Sequence, residues 1–412
     1  MRRLAALLIA GAALWLAPGA FAAGWCGSGE STVDRPDVTT GEQVHAVYVI
    51  PGDGADNFPV VANKMADDVA SLTNWWISQD ATRTPRFDQA AFPAGTCVDV
   101  SFLRLPDPSS ALQGASNAFE RVADALFAGG FGNDHKKYYV YYDGPPVQTN
   151  ICGTGGGTFS GAPSYAIVWL AGCPTVPTDA VGTHELTHAL GAVPAGAPHE
   201  CPPPNDGHVC DSTADLLYPF TSGQALSQLV LDANRDDYYG FATNGIDIRN
   251  SLWLRHLDTP QEALAVSLVG TGTVKSDVPG VECGAACTTL WDQGSSVVLD
   301  AVPASGERFV KWTGACGGTF PCGVVLSQPE AVTAVFGPLR IPVRLTTAGR
   351  GRVACSPSCA KTLAAGKSLT LRALPAKGWR FVRWSGGCAG TRSTCSPATD
   401  FALNVRATFR KR

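Results

Sequence analysis

The chain has 412 residues, which is too long for one ordinary domain and suits two or three. Hydrophobic residues make up 45% of the sequence, enough to build substantial cores. The formal net charge is −4, which excludes the basic surface that nucleic-acid binding requires, so we expect no nucleic-acid partner. Fourteen cysteines, an even number, indicate an oxidising compartment and disulfide bonds.

The first 22 residues have the three parts of a secretory signal peptide. Arg2 and Arg3 form a basic head, Leu4 to Leu16 an apolar run, and Ala20 to Ala22 an A-x-A cleavage site. The apolar run is too short to span a bilayer well, and no later segment does so. We therefore predict a secreted protein, extracellular or at the cell surface, with no membrane span, and we expect a monomer.

Apolar periodicity predicts strands alternating with helices in the first half of the chain. Strands are predicted at His45 to Ile50, Val98 to Phe102, Tyr138 to Tyr142 and Tyr165 to Leu170, and helices at Val61 to Trp76 and Ala115 to Leu126. This alternation predicts a mixed sheet with helices packed on it. The stretch from Gly153 to Gly157 lacks the Lys-Ser/Thr ending of a phosphate-binding loop, so we expect a flexible loop there.

The next predicted helix carries the motif H-E-x-x-H over residues 184–188. Positions i and i+4 of a helix share one face, so His184 and His188 can present two imidazoles to one metal ion. Glu185 lies beside them and can act as the general base of a metal-dependent hydrolase. Gly191 can adopt a left-handed conformation that ends the helix. The pattern predicts a catalytic Zn²⁺ site.

A catalytic zinc usually has three protein ligands and one open position, so a third ligand is expected after the helix. The next histidine is His199, and it is the predicted third ligand. Asp211, and after it His208, are the alternatives. Cys201 and Cys210 bracket this segment, and a disulfide between them would stiffen the loop.

The motif H-E-x-x-H-x-x-G, which ends at Gly191, resembles the metzincin group of zinc peptidases. The resemblance extends over about residues 45–258 and implies an α+β peptidase domain, a third ligand after the glycine and a methionine turn below the metal. The family's usual third-ligand position is occupied here by Pro194, and Leu217 stands where the methionine is expected. The resemblance implies a zinc endopeptidase that acts on protein or peptide substrates.

Two further features lie downstream of the motif. Tyr218 could stabilise an oxyanion or pack in the core. The segment from Asp232 to Gly240 is rich in carboxylates but lacks the D-x-D-x-D-G spacing of a strong calcium loop. Ion pairs with Arg235, or contacts with a helix terminus, are expected there instead.

The last third of the chain is a repeat. The segment from Arg308 to Cys316 returns as Arg380 to Cys388 at an offset of 72 residues. The cysteine spacing suggests two bridges in each copy, Cys283–Cys287 with Cys316–Cys322, and Cys355–Cys359 with Cys388–Cys395. Alternating runs at Ser296 to Ala301 and Ser368 to Ala373 read as strands, so each copy is a small disulfide-bonded β module. The modules resemble divergent internalin-type bacterial repeats.

These observations give four segments: a signal peptide (1–22), a metzincin-like peptidase domain (23–258) and two β modules (259–338 and 339–412). The principal hypothesis is a secreted zinc endopeptidase. The alternative is a surface-binding or adhesion protein whose modules recognise a cell surface or glycan, with a structural or inactive metal site. Trp312 and Trp384 could face such a ligand, although a core position is favoured for each.

Overall fold

The computed structural model describes residues 25–157, 159, 163–220, 223–240 and 246–412. The expected signal peptide lies outside them. Two compact units are present. The first contains the described residues up to Val38 and those of Gln43–Leu254, and the second contains Thr39–Glu42 and Arg255–Arg412. Within the described residues, no helix is long and apolar enough to cross a membrane.

Strands and helices alternate along the first unit. Its elements are β1 (Gln43–Ile50), α1 (Phe58–Gln79), β2 (Arg83–Pro85), β3 (Gln89–Phe92), β4 (Gly95–Val98), β5 (Val100–Arg104), α2 (Ser109–Leu112), α3 (Ala118–Ala128), β6 (Lys136–Tyr142), β7 (Gly153–Gly156), β8 (Ser164–Trp169) and α4 (Thr178–Ala189). Short 3-10 helices follow at Leu226–Gln228, Ala233–Arg235 and Ile248–Asn250. The next strand, β9 (Leu254–His256), begins at the last residue of this unit. The predicted strands and helices are confirmed with shifts of a few residues at their ends, except that Val98 to Phe102 is divided between β4 and β5.

Five strands form the central sheet in the order β5-β1-β6-β8-β7. The first four strands in that order run parallel, and β7 pairs antiparallel with β8 at the edge. Successive residues of a strand point to opposite faces. In β1, Tyr48 joins the core formed with α1 and α4, whereas Val47 joins the core formed with α3. The sheet is therefore covered on both faces, which is why its inner strands read as continuous apolar runs.

The glycine-rich stretch after β6 is a strand, and the expectation of a flexible loop there was wrong. Gly153–Gly156 pairs with β8 from Gly153↔Val168 to Gly156↔Tyr165. A Cβ atom at Gly155 would lie 2.4 Å from the backbone oxygen of Glu185 in α4, a distance that real Cβ atoms do not reach. The glycines thus let β7 lie directly against α4.

The second unit is all β and contains two copies of one arrangement. Its strands are β10 (Gln261–Val269), β11 (Gly272–Ser276), β12 (Glu282–Cys283), β13 (Cys287–Asp292), β14 (Ser296–Pro303), β15 (Glu307–Gly314), β16 (Cys322–Val325), β17 (Glu330–Pro338), β18 (Arg340–Ala348), β19 (Gly351–Ser356), β20 (Thr362–Ala364), β21 (Thr370–Pro375), β22 (Trp379–Gly386), β23 (Thr394–Cys395) and β24 (Leu403–Lys411).

The two modules repeat each other in detail. The first has sheets β13-β10-β17-β15 and β12-β11-β14-β16, and the second has β20-β18-β24-β22 and β19-β21-β23. The register shifts between Phe309 and Lys311 in β15, and between Phe381 and Arg383 in β22. One sequence pattern therefore produces one fold twice.

The disulfides and tryptophans of the second unit follow the sequence-based expectations. All four predicted bridges are present, as is the predicted Cys201–Cys210 bridge of the first unit. The first unit also contains the bridges Cys26–Cys97 and Cys152–Cys173, which were not predicted from the sequence. Trp312 and Trp384 are each only 2% exposed. They are core residues of their modules, as favoured.

Candidate metal centre

Two histidines face each other on helix α4. The Nε2 atoms of His184 and His188 lie 3.1 Å apart, as the i and i+4 spacing requires. The Nδ1 of His184 donates to the carbonyl oxygen of Leu216 at 2.6 Å. A carbonyl only accepts hydrogen bonds, so this contact places the proton on Nδ1 and leaves the Nε2 lone pair for a metal ion. Beyond the helix, Gly191 has φ of +90°, the left-handed conformation expected there.

A small disulfide-closed hairpin supplies a third histidine. The Cys201–Cys210 bridge spans nine positions, and the N–H of Cys201 donates to the carbonyl of His208 at 2.8 Å. The Glu200 carboxylate accepts hydrogen bonds from the N–H groups of Gly196 and Gly207. These two bonds connect the segment before the hairpin to the hairpin itself. The hairpin therefore carries His208 back to α4.

Three imidazoles surround a common point. One nitrogen each from His184, His188 and His208 lies within 4.8 Å of the other two. Their ring centroids are 4.8 Å to 5.2 Å apart. The Nδ1 of His208 lies 3.4 Å from the carbonyl oxygen of Asp206. This arrangement suits a metal ion that prefers imidazole nitrogen. Three protein ligands are also the number found in catalytic zinc sites, which keep a fourth position open.

His199, the third ligand expected from the sequence, lies elsewhere. Its Nδ1 is 2.9 Å from an oxygen of Asp237 and 4.0 Å from one of Asp211. His199 and Asp211 belong together to a separate group of metal-ligand side chains. The structure brings His208, the last of the three sequence candidates, to the histidine pair, because the hairpin returns the chain to α4 only at that residue.

A tight turn lies below the histidines. The Asp215 carboxylate accepts the N–H of Leu217 at 2.7 Å and the hydroxyl of Tyr238 at 2.9 Å, which holds the turn that presents the Leu216 carbonyl. Leu217 is fully buried among apolar residues, so leucine supplies an apolar position where methionine was expected. Tyr218 is half-buried, with its ring 6.0 Å from that of Phe220.

Glu185 is enclosed between α4 and the edge strand. It is 7% exposed, and the N–H of Gly155 donates to its carboxylate. Burial raises the pKa of Glu185 to about 8, and the Gly155 hydrogen bond opposes this increase. A Cβ atom at Gly153 would lie 2.5 Å from Cγ and Oε1 of Glu185. The role of these two glycines was not predicted from the sequence. The glycine-rich composition is the only signal for it, and it acquires a meaning only once β7 is known to pack against the motif helix.

The surroundings keep the imidazoles neutral. Desolvation and, to a smaller extent, the neighbouring His208 lower the pKa of His184 to about 4. Desolvation, with His184 and His208 adding to it, holds the pKa of His188 well below its usual range. Desolvation also lowers the pKa of His208. Neutral imidazoles have the free lone pair that a metal ligand needs.

Comparison with known families finds a match within the second unit. Residues 264–338 and 341–412 match the family model described as divergent InlB B-repeat domain. This match confirms the resemblance of the two modules to internalin-type repeats. No curated protein matches the chain at a significant level.

Comparison with solved structures gives weak likenesses. Wild-type OgpA from Akkermansia muciniphila shares 11% identity and a TM-score of 0.29, over 91% of this chain and 99% of that one. Catalytically inactive OgpA from the same organism, in complex with the O-glycopeptide substrate glycodrosocin, shares 9% identity and a TM-score of 0.29, over 91% and 98%.

Proposed function

We propose that the protein is a secreted zinc endopeptidase whose metal ligands are His184, His188 and His208. The observation that carries the proposal is the convergence of three imidazoles, two of them on the helix that also carries Glu185. Histidine is a common ligand of zinc, and three protein ligands leave a position for chemistry. His208 replaces His199 in this assignment because it is the histidine that lies beside the pair.

In this proposal the side chains have distinct roles. His184, His188 and His208 would hold a zinc ion, which would polarise a peptide carbonyl and lower the pKa of a water molecule. The carboxylate of Glu185 takes the proton from the attacking water and passes it to the departing amine. The N–H of Gly155 holds that carboxylate in place, and the Leu216 carbonyl orients His184.

The edge strand β7 favours an extended peptide as the substrate. It is the last strand in the sheet order and lies against α4 beside Glu185. An edge strand can pair with an added peptide strand through backbone hydrogen bonds. Three of the four residues of β7 are glycines, and the hydroxyl of the fourth, Thr154, accepts a hydrogen bond from Nε1 of Trp169 at 3.0 Å. A protein chain in extended form would thus be held close to the general base.

The test is hydrolysis of casein and of a quenched fluorescent peptide by the full secreted chain. We expect cleavage that a chelator removes and that stoichiometric Zn²⁺ restores. Glu185→Gln should retain the metal and lose turnover by about 100-fold or more, because the general base is removed while the ligands remain. A Glu185→Gln protein that cleaves like wild type overturns the mechanism, and a folded protein that takes up no transition metal overturns the assignment.

A second function, surface binding, is supported by the two repeat modules. The second module contains a cleft of about 340 Å³ whose lining includes Arg344, Ser385, Asn404 and Arg406. Two guanidinium groups beside hydroxyl and amide groups suit an acidic glycan. The test is binding of full-length Glu185→Gln protein to sialylated glycans, with Arg344→Glu and Arg406→Glu expected to abolish it. Equal binding by these variants excludes the cleft.

A further inference from the structure

A second group of metal-ligand side chains lies outside the three-histidine centre. His199, Asp211, Asp236 and Asp237 each offer one ligand atom, and these four atoms lie within 4.8 Å of one another. Two of the residues come from the disulfide-closed hairpin and its end, and two come from the carboxylate-rich segment after Asp232. The four side chains thus join two separate parts of the first unit.

The group is rich in carboxylate oxygens, with three aspartates around one imidazole. The Asp237 side chain is fully buried, and its Oδ2 has no hydrogen-bond partner among the described residues. Oδ1 of Asp236 is also buried without a partner within the part of the chain that the structure describes. Buried carboxylate oxygens of this kind are costly unless a cation or a donor satisfies them.

The arginine next to these carboxylates is directed elsewhere. The Arg235 guanidinium donates to the carbonyl of Gln79 at 2.6 Å and lies 4.8 Å from the ring centre of Tyr239. The expected ion pairing by Arg235 is therefore not what organises the segment. Instead, the Asp232 carboxylate accepts backbone N–H groups, among them that of Tyr238 at 2.7 Å. Asp232 holds the backbone, and the side chains of Asp236 and Asp237 remain for the group with His199.

We propose that His199, Asp211, Asp236 and Asp237 bind a second divalent cation, of the class that accepts imidazole nitrogen together with carboxylate oxygen. Zn²⁺ binds both donor types, and Mn²⁺ favours the carboxylates. Ca²⁺ prefers six to eight oxygen ligands, and the imidazole argues against it. The cation would satisfy the partnerless oxygens of Asp236 and Asp237.

Such a cation would also stabilise the three-histidine centre. The N–H of Cys210 donates to the carbonyl of His199 at 3.0 Å, and the N–H of Cys201 donates to that of His208 at 2.8 Å. The two histidines are therefore held on one short hairpin, which the Cys201–Cys210 bridge closes. An ion that ties His199 to Asp237 fixes this hairpin, and with it the position of His208.

The test counts metal ions in the intact secreted chain. Metal-free protein is dialysed against Zn²⁺, Mn²⁺ or Ca²⁺ alone, and bound metal is measured by mass spectrometry. We expect two equivalents of Zn²⁺ in wild type, one in Asp237→Asn and one in His208→Ala. Asp124→Asn, which removes an equal charge from an exposed position of α3, is the matched control and should retain two.

The His208→Ala background isolates the second site and guards against misfolding. In that background Zn²⁺ or Mn²⁺, at about 100 times its dissociation constant, should raise the Tm by roughly 5 °C or more, and adding Asp237→Asn should remove the shift. One equivalent in wild type that is lost in His208→Ala and unchanged in Asp237→Asn overturns the proposal. Uptake of Ca²⁺ but neither Zn²⁺ nor Mn²⁺ overturns the choice of ion. This experiment measures bound metal and Tm but not peptide cleavage. The absence of a second metal ion would therefore not contradict the peptidase proposal, which this inference leaves unchanged.

Discussion

The Nδ1 of His184 lies 2.6 Å from the carbonyl oxygen of Leu216, a residue 32 positions later in the chain. This one hydrogen bond fixes the tautomer and orientation of the first motif histidine. The carbonyl is held in turn by the Asp215 turn, whose carboxylate also accepts the hydroxyl of Tyr238. The position of His184 therefore depends on contacts that connect α4 with the carboxylate-rich segment after Asp232.

The first prediction separates the two candidate third ligands. His208→Ala should lower peptidase activity by at least about 100-fold, because a direct ligand counts for more than the ~10–100-fold of a supporting contact. His199→Ala should remain within about tenfold of wild type, because His199 lies with Asp237 rather than with the histidine pair. The measurement is kcat/KM on one peptide for both variants. A larger loss of kcat/KM in His199→Ala than in His208→Ala would identify His199 as the third ligand.

The second prediction concerns the close packing of β7 on Glu185. Gly153→Ala places a methyl group 2.5 Å from Cγ and Oε1 of Glu185, so the carboxylate must move. We expect kcat to fall by about 10–100-fold, since displacement of a catalytic group by about 1 Å has effects of that size. Gly156→Ala in the same strand is the control, because its nearest neighbour is the Phe119 ring at 3.5 Å, an ordinary contact. Equal kcat values for the two variants would show that β7 does not position the base.

The third prediction is a pH dependence of stability that depends on Asp80. Burial opposes ionisation, but hydrogen bonds from Thr82 and from Arg249 at 2.8 Å outweigh it and hold the pKa of Asp80 well below its usual range. A carboxyl with a depressed pKa stabilises the fold above its unfolded-state pKa of about 4, and this stabilisation is lost as the pH falls toward the folded-state value. Asp80→Asn should therefore lower the free energy of unfolding by about 1.5–3 kcal/mol at pH 7, and by less near pH 2.

Urea unfolding at the two pH values measures this difference. Asp124→Asn, at an exposed position, should change the unfolding free energy by no more than about 0.5 kcal/mol at either pH. A loss in Asp80→Asn that is the same at pH 7 and pH 2 would show that the charge of Asp80 is not what stabilises the fold.

The fourth prediction treats the repeated tryptophans as core residues. Trp312→Ala and Trp384→Ala should each destabilise their module by about 3–5 kcal/mol, because each side chain is 2% exposed. Phe320→Ala and Phe401→Ala, at side chains that are each 82% exposed, should change stability by about 0.5 kcal/mol or less. Thermal unfolding of the four full-length variants gives the comparison. A tryptophan variant as stable as its phenylalanine control would contradict the core assignment.

The sequence by itself determined the features that depend on local periodicity. Apolar spacing predicted α1 from Val61 to Trp76 and the buried strand β6 around Tyr138 to Tyr142, because one face of a helix or a whole inner strand must be apolar. The i and i+4 spacing of His184 and His188 required their nitrogens to approach each other. The 72-residue repeat predicted two equivalent modules, and the cysteine spacing suggested four bridges without fixing which cysteines pair.

Only the tertiary structure decided which later residues join the motif helix. His199 and His208 lie on the same disulfide-closed hairpin, and position along the chain favoured His199, the first histidine after the helix. Contacts between distant segments make the choice, since Asp237 engages His199 while the hairpin returns His208 to α4. The role of the glycines in β7 could not be predicted for the same reason. In the sequence, a glycine that allows close approach to Glu185 cannot be distinguished from a glycine in a flexible loop. Local pattern specifies elements, whereas a site assembled from several elements depends on long-range packing.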